Sequence, residues 1–210
     1  LKTFRDADGL WEGHDVMEVA TPEGWRNNQE LVLRFYNDRR RQLLEVTPND
    51  AHKAIVLLEK DYNVTIITQN VDDLHERAGS TNVMHLHGEL LKVRSTKDKS
   101  NVKSWKTDLQ KGDLCEKGSQ LRPHIVWFGE EVPLLDKAAE VVSKADYIII
   151  VGTSMQVYPA AGLIDFAKAD AQIYFIDPKP AISQRDRLTI VPEIASTGIK
   201  KVVETIMNLT

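Results

Sequence analysis

Two histidines two residues apart, in the run His85-Leu86-His87-Gly88, are the side chains best suited to proton chemistry in this sequence. On a strand, residues two apart share a face, so the pair could hold a metal, but no third ligand stands nearby. One of them can equally serve as a hydrogen-bonded core histidine. A histidine beside a glycine can also act as a general base, because its ordinary pKa of about 6.5 suits that task near neutrality. Spacing alone leaves these readings open. Three further clusters follow β-rich runs: Gln69-Asn70-Val71-Asp72 after residues 64–68, Gly152-Thr153-Ser154 after residues 147–151, and Asp177 after residues 172–176. Small residues let a backbone approach a ligand closely, and an acid at such a position can accept hydrogen bonds from ribose hydroxyls. Polar residues also simply terminate strands. Three such clusters on one sheet edge suggest a nucleotide or dinucleotide crevice, since open parallel sheets bind ligands at the carboxyl ends of their strands.

The elements that must position these residues alternate. Residues 64–68, 124–128, 147–151 and 172–176 read as strands, the third apolar enough to be buried on both faces. Helices are expected over 134–144, around 160–169 and over 199–209. Earlier, Leu31, Val32, Phe35, Leu43 and Leu44 recur at near-helical spacing, with Arg39-Arg40-Arg41 read as a solvated face. A second helix, carrying Ala54, Ile55, Leu57 and Leu58, follows the turn Pro48-Asn49-Asp50. Alternating strands and helices predict an α/β fold with a parallel, helix-covered sheet. Residues 1–30 read as loop with short turns. Residues 92–118 are dense in Lys, Asp and Ser and read as a small peripheral insertion.

The bulk composition narrows the class. The 210 residues are 42% hydrophobic and 28% charged, too apolar for a disordered chain, and no apolar run is long enough to span a bilayer. A net charge of −4 argues against nucleic acid as the main partner. The one cysteine, Cys115, forbids an intrachain disulfide and suits a reducing, cytoplasmic compartment. Neither G-x-G-x-x-G nor a Walker phosphate loop occurs. The chain opens at Leu1 without an initiator Met or a signal-like pattern, so the native start is expected upstream.

Taken in order, the clusters resemble the sirtuin family, the NAD-dependent protein lysine deacylases, and most of all its bacterial CobB-like branch. The match lies in Thr3-Phe4-Arg5, Gly9-Leu10-Trp11, Thr68-Gln69-Asn70-Val71-Asp72, Leu74-His75-Glu76-Arg77-Ala78-Gly79 and His85-Leu86-His87-Gly88. It continues through Leu121-Arg122-Pro123-His124-Ile125-Val126-Trp127-Phe128-Gly129-Glu130, Val151-Gly152-Thr153-Ser154 and Val157-Tyr158-Pro159-Ala160-Ala161. The resemblance implies a Rossmann-like domain (residues 1–5, 51–88 and 123–210), a loop and helical insertion (6–50) and a degenerate zinc-ribbon-like insertion (89–122). NAD and an acyl-lysine peptide would enter from opposite sides.

By the same resemblance His87 is the catalytic base toward the NAD ribose. Asn70 and Asp72 order the reacting centre, and Gln69 contacts the ribose. Phe4, Arg5, Trp11 and Val71 belong to the cofactor pocket. Gly152, Thr153 and Ser154 line the adenosine side, Asp177, Pro178 and Lys179 its ribose, and Ala195 the adenine. Val126, Trp127, Phe128 and Gly129 would pair with the peptide as an added strand. The implied products are free lysine, nicotinamide and O-acyl-ADP-ribose.

Tyr36 and Arg39 match the Tyr-x-x-Arg of members that remove succinyl and malonyl groups, with Ala20 widening the pocket. At i and i+3 on a helix they share a face, and Arg39 can grip a carboxylate bidentately. The plain alternative is surface packing. The family's four zinc cysteines are reduced here to Cys115, with Ser95 near where the first pair would begin and Gly118 where the mate of Cys115 would be, so no zinc is expected and packing around Trp105 would hold the insertion. Family members also carry a glycine-rich segment and a first strand ahead of Thr3. The same cleft could instead serve ADP-ribosyl transfer or NAD hydrolysis, or the chain could be a non-catalytic binder of NAD metabolites or acylated proteins. Oligomeric state and protein targets leave no mark in the sequence.

Overall fold

The computed structural model describes residues 10–11, 13–153, 155, 157–180 and 186–208. In chain order the elements are β1 Leu10–Trp11, β2 His14–Asp15, α1 Val16–Val19, α2 Pro22–Asn27, α3 Gln29–Glu45, α4 Asp50–Val56, β3 Ile66–Thr68, α5 Leu74–Ala78, β4 Val83–His85, β5 Gly88–Ser95, β6 Val102–Ser104, β7 Leu121–Ile125, α6 Leu135–Lys144, β8 Tyr147–Val151, β9 Gln172–Ile176, β10 Leu188–Val191 and α7 Ala195–Met207. Short 3-10 segments lie at Leu57–Lys60 and Ala160–Phe166. The chain forms two compact units, each discontinuous. The first comprises Leu1–Val46, Asn70–Asp73 and His87–Val132, the second Thr47–Gln69, Leu74–Leu86 and Pro133–Thr210.

The second unit is the α/β one. Its strands β10, β9 and β8 lie side by side in parallel, and β3 pairs in parallel with β4. The period of two along β9 explains why both sheet faces are covered. Tyr174 and Ile176 pack with Ala51, Ala54 and Leu58 and with Ile199, Val202, Val203 and Ile206 of α7. Ile173 and Phe175 pack on the opposite side with Leu188, Ile148, Ile150 and Ile164. Each such buried aliphatic side chain contributes about 1.5–3 kcal/mol. Strand β8 divides likewise between the two clusters, although its residues are half-buried rather than enclosed. The expected helix at 160–169 is a 3-10 segment, and the last helix begins at Ala195, four residues before the expected start.

The first unit holds what its sequence obscured. Residues 1–30 were expected to be loop, yet α1 and α2 form there, each started by a side-chain cap. Asp15 accepts from the Met17 N–H, and Thr21 Oγ1 accepts from Gly24 N at 2.9 Å with Pro22 in the first turn. Helices this short show no periodicity to read. On α3, Val32, Phe35 and Leu43 are buried as the spacing predicts, while Leu31 is half-buried and Leu44 exposed; Leu33 and Tyr36, outside the predicted set, are buried as well.

The triple arginine is not a solvated face. Arg40 is 1% exposed and donates to Leu90 O (3.2 Å), Asn37 Oδ1 (2.7 Å) and Thr107 O (3.3 Å). Burial pushes its pKa down to about 10. Arg39 lies over the Phe35 ring, 4.5 Å from its centroid, and Arg41 pairs in the open with Asp38 and Asp108. An arginine stem can lie inside when carbonyl oxygens wait for its head, and charge counting does not reveal that.

The insertion is a three-stranded antiparallel sheet, β6-β5-β7. Val93, Leu109 and Leu121 are among its enclosed residues, and Trp105 is half-buried, its backbone N–H donating to Leu91 O.

Candidate active site

Three segments of the first unit are joined by backbone hydrogen bonds. Leu90 N donates to Val71 O at 2.7 Å, which joins the Asn70–Asp73 stretch to β5, and Val126 N donates to His87 O at 2.9 Å. Asn70, Asp72, His87 and the 126–129 segment are therefore held on one connected piece of backbone. The expected domain edges at 88/89 and 122/123 do not coincide with this division. Strand β4 ends at His85, so His87 lies in the turn that follows, and the two-apart argument for a shared metal does not apply. His85 is instead committed to Glu76, with Nε2 2.7 Å from Oε1. His87 is half-buried, Asp72 is half-buried and Asn70 is exposed. Asp72 opens onto a pocket of about 180 Å³ that it shares with Asp73, Glu89, Lys92 and Lys106.

Gly88 is what lets His87 stand there. Its φ is +85°, and a Cβ at that position would lie 2.0 Å from the His124 carbonyl oxygen across the β5–β7 pair. Only glycine tolerates both conditions.

The 126–129 segment is not a strand, because β7 stops at Ile125. It is a tight turn closed by Glu130 N donating to Trp127 O at 3.0 Å, with Gly129 at φ +83°. Three of its four N–H groups are engaged: Val126 with His87 O, Trp127 with Glu130 Oε2 (2.9 Å) and Phe128 with Ala20 O (3.0 Å). The expected added strand cannot use those donors. Phe128 is 45% exposed, whereas Trp127 is enclosed, 3.3 Å beneath the Arg122 guanidinium and 5.8 Å from Trp25. Trp127 therefore supports the segment from within instead of facing a peptide.

The Trp127 indole N–H donates to the Tyr36 hydroxyl at 2.9 Å, and Tyr36 is fully buried. Burial pushes the phenol pKa far above its usual value, the Trp127 hydrogen bond opposing it only in part. Tyr36 therefore carries a proton at every working pH. Ala20 is buried where its carbonyl meets Phe128.

Beside them stands an ionic cluster that sequence reading missed. The Glu130 carboxylate receives Arg94 (3.0 Å) and Arg122 (2.8 Å), all three largely enclosed. Burial alone would raise the Glu130 pKa; hydrogen bonds from Arg122 and the Trp127 N–H, with the charge of both arginines, bring it below normal. Arg-Pro and Gly-Glu in the run 121–130 were the only sequence signal.

In the second unit, Gln69 follows β3 and is half-buried. Gly152 is exposed after β8 at φ +66°, with open space where a Cβ would be, and Thr153 Oγ1 accepts from Met155 N. Such bare backbone at a parallel-strand end fits a nucleotide. Ala195 opens α7, whose amide-rich end suits a polar ligand. Asp177 is 4% exposed and its Oδ1 accepts from Lys179 N at 2.8 Å, so this carboxylate organises the Asp177-Pro178-Lys179 turn and does not present both oxygens to a ribose. Trp11 pairs with His14 through the backbone. Phe4, Arg5 and Ser154 lie outside the described residues.

The residues at the family's zinc positions do not fit that metal. Cys115 Sγ is 3.5 Å from Ser95 Oγ and Gly118 offers no side chain; beside them the Asp98 carboxylate is held by Lys117 at 3.0 Å and by Ser100. One thiol does not make a four-coordinate site. These contacts tie the 95–98 and 115–118 turns together directly.

A parallel sheet covered on both faces, carried with a small antiparallel module, defines an α/β protein of the Rossmann-like class. Residues 1–159 match the sequence model of the Sir2 family. An NAD-dependent protein deacylase of Helicobacter pylori (strain ATCC 700392 / 26695) is 66% identical over 179 residues, covering 85% of this chain and 78% of the relative. One from Bacteroides thetaiotaomicron is 50% identical over 208 residues, covering 96% and 89%. Among solved structures, a Sir2 homologue in complex with NAD superposes with a TM-score of 0.87 at 38% identity, over 99% of this chain and 84% of that one. The chain belongs to the Sir2 family.

Proposed function

We propose that this protein is an NAD-dependent protein lysine deacylase that accepts acetyl and succinyl groups. The observation that carries the reading is the backbone tie between His87 and Val126, which holds a proton acceptor beside a peptide-sized turn. NAD supplies the acyl acceptor and the nicotinamide leaving group. His87 takes a proton from a ribose hydroxyl, a role worth about 10²–10⁴ in rate. Asn70 and Asp72 hold the reacting end of the cofactor, with Gln69, Val71, Trp11, Phe4 and Arg5 around it. Gly152, Thr153, Ser154, Pro178, Lys179 and Ala195 take the adenosine side, with Asp177 shaping its turn.

The acyl-lysine peptide sits on Val126, Phe128 and Gly129, and Ala20, Tyr36 and Arg39 line the acyl end. Among the described residues no helix is long and apolar enough to cross a membrane. The lone cysteine supports a cytoplasmic setting, and the net charge of −4 gives no support to a nucleic-acid partner.

The test is nicotinamide release from labelled NAD in the presence and absence of an acetyl-lysine peptide. Release that requires the peptide, with label recovered as O-acyl-ADP-ribose, supports the reading. Acyl-independent release would mark a hydrolase, and protein-bound label a transferase. His87→Ala should abolish turnover while NAD still binds; retained turnover removes His87 from its role.

A further inference from the structure

Val126 has both of its flanking peptide groups clamped. On one side Arg122 Nη2 donates to Ile125 O at 3.0 Å; on the other, Glu130 Oε2 accepts from Trp127 N at 2.9 Å. The same Glu130 gathers Arg94 and Arg122, one from β5 and one from β7, so a single carboxylate ties the sheet to the turn. Arg122 also covers the Trp127 ring, and the Glu130 N–H closes the turn onto Trp127 O. With the N–H groups of Val126, Trp127 and Phe128 consumed, the Gly129 N–H is the remaining backbone donor of residues 126–129, and the Val126 carbonyl is likewise engaged by no described residue. A peptide main chain needs one acceptor and one donor of this kind to be held in register.

We infer that Glu130 is the positioning residue of the substrate seat: through Arg94, Arg122 and the Trp127 N–H it fixes the Val126 carbonyl and the Gly129 N–H for the incoming peptide. It touches neither NAD nor the acyl group. The inference rests on the reading of 126–129 as the peptide's seat. Bidentate guanidinium–carboxylate pairs impose geometry as well as attraction, which is what holding two peptide groups in place requires. A buried cluster with two positive groups and one negative adds little to stability, so its use lies in the shape it imposes.

The experiment measures binding of a fluorescein-labelled acetyl-lysine peptide by anisotropy and of NAD by calorimetry, with thermal melts alongside. Glu130→Ala should weaken the peptide about tenfold or more while NAD stays within about twofold, because the lost hydrogen bonds belong to the peptide seat. Glu130→Gln keeps an oxygen for the Trp127 N–H. It should recover most of the peptide affinity although it leaves two arginines without a counter-charge and melts lower than Glu130→Ala combined with Arg94→Met. That double variant replaces the single one should Glu130→Ala fail to fold. A merely structural role would make peptide affinity follow melting temperature across the set.

Unchanged peptide affinity in Glu130→Ala, an equal loss of NAD, or no rescue by Glu130→Gln overturns the inference, as does a parent protein that binds no peptide. A parent that binds peptide but releases no nicotinamide sinks the deacylase reading alone, and the binding series then still decides on Glu130.

Discussion

Arg39 follows Tyr36 by one helical turn on α3, and the two meet different surroundings. Tyr36 is enclosed and its oxygen accepts from the Trp127 indole N–H. Arg39 is half-buried with its guanidinium laid over Phe35, an arrangement that pre-orients a planar cation. A carboxylate at the end of an acyl chain is the ligand such a pair suits. A charge-assisted hydrogen bond contributes about 1.5–3 kcal/mol, so Arg39→Met should lower the ratio of desuccinylation to deacetylation about 10–100-fold, measured as kcat/KM on matched peptides. Equal losses on both peptides would remove Arg39 from acyl reading.

At the scale of elements, the β5–β7 pairing depends on Gly88. Gly88→Ala would press a methyl group onto the His124 carbonyl and force φ +85° on a side-chain-bearing residue. A cost above about 3 kcal/mol is expected, lowering the melting temperature by roughly 6–12 °C. A melt within a degree of the parent would show that the pair relaxes freely.

Elements also decide what the sequence disclosed. Strands β8 and β9 were legible to the residue because side chains packed against clusters on both sheet faces make a nearly continuous apolar run. The helices α1 and α2 were not, since four and six residues show no period and only their caps mark them. The Val-Trp-Phe run at 126–128 has strand-forming side chains, but its amide hydrogens are drawn in by His87, Glu130 and Ala20, a competition no propensity records. Arg40 was misread for the related reason that its partners, Leu90 and Thr107, are distant in sequence. Of the proposed site, the order of motifs pointed to His87, Asn70 and Asp72. The Arg94–Arg122–Glu130 cluster needed the folded chain.

For the molecule as a whole, the turns at 95–98 and 115–118 replace a metal with side-chain contacts, and stability should report it. Metal analysis of the purified protein should find no stoichiometric zinc, and a chelator should leave the melt unmoved. The Ser100 hydroxyl and the Lys117 ammonium hold the Asp98 carboxyl down at about 2, from an ordinary 3.8. Its ionised form therefore favours the folded state above about pH 4, and that contribution fades as pH falls toward 2. Asp98→Asn should melt lower than the parent at neutral pH and converge with it in acid; a constant gap would place the effect elsewhere.

The chain passes back and forth between its two units, and their completion is staggered along it. The last segment of the first unit ends at Val132, whereas the second awaits α6, β8, β9, β10 and α7. At ribosomal speed that wait lasts on the order of seconds. Throughout it Ala51, Ala54 and Leu58 have neither Tyr174 nor α7 to cover them. While the chain is still being made, one half can therefore close upon itself before the other has received the apolar partners that cover it.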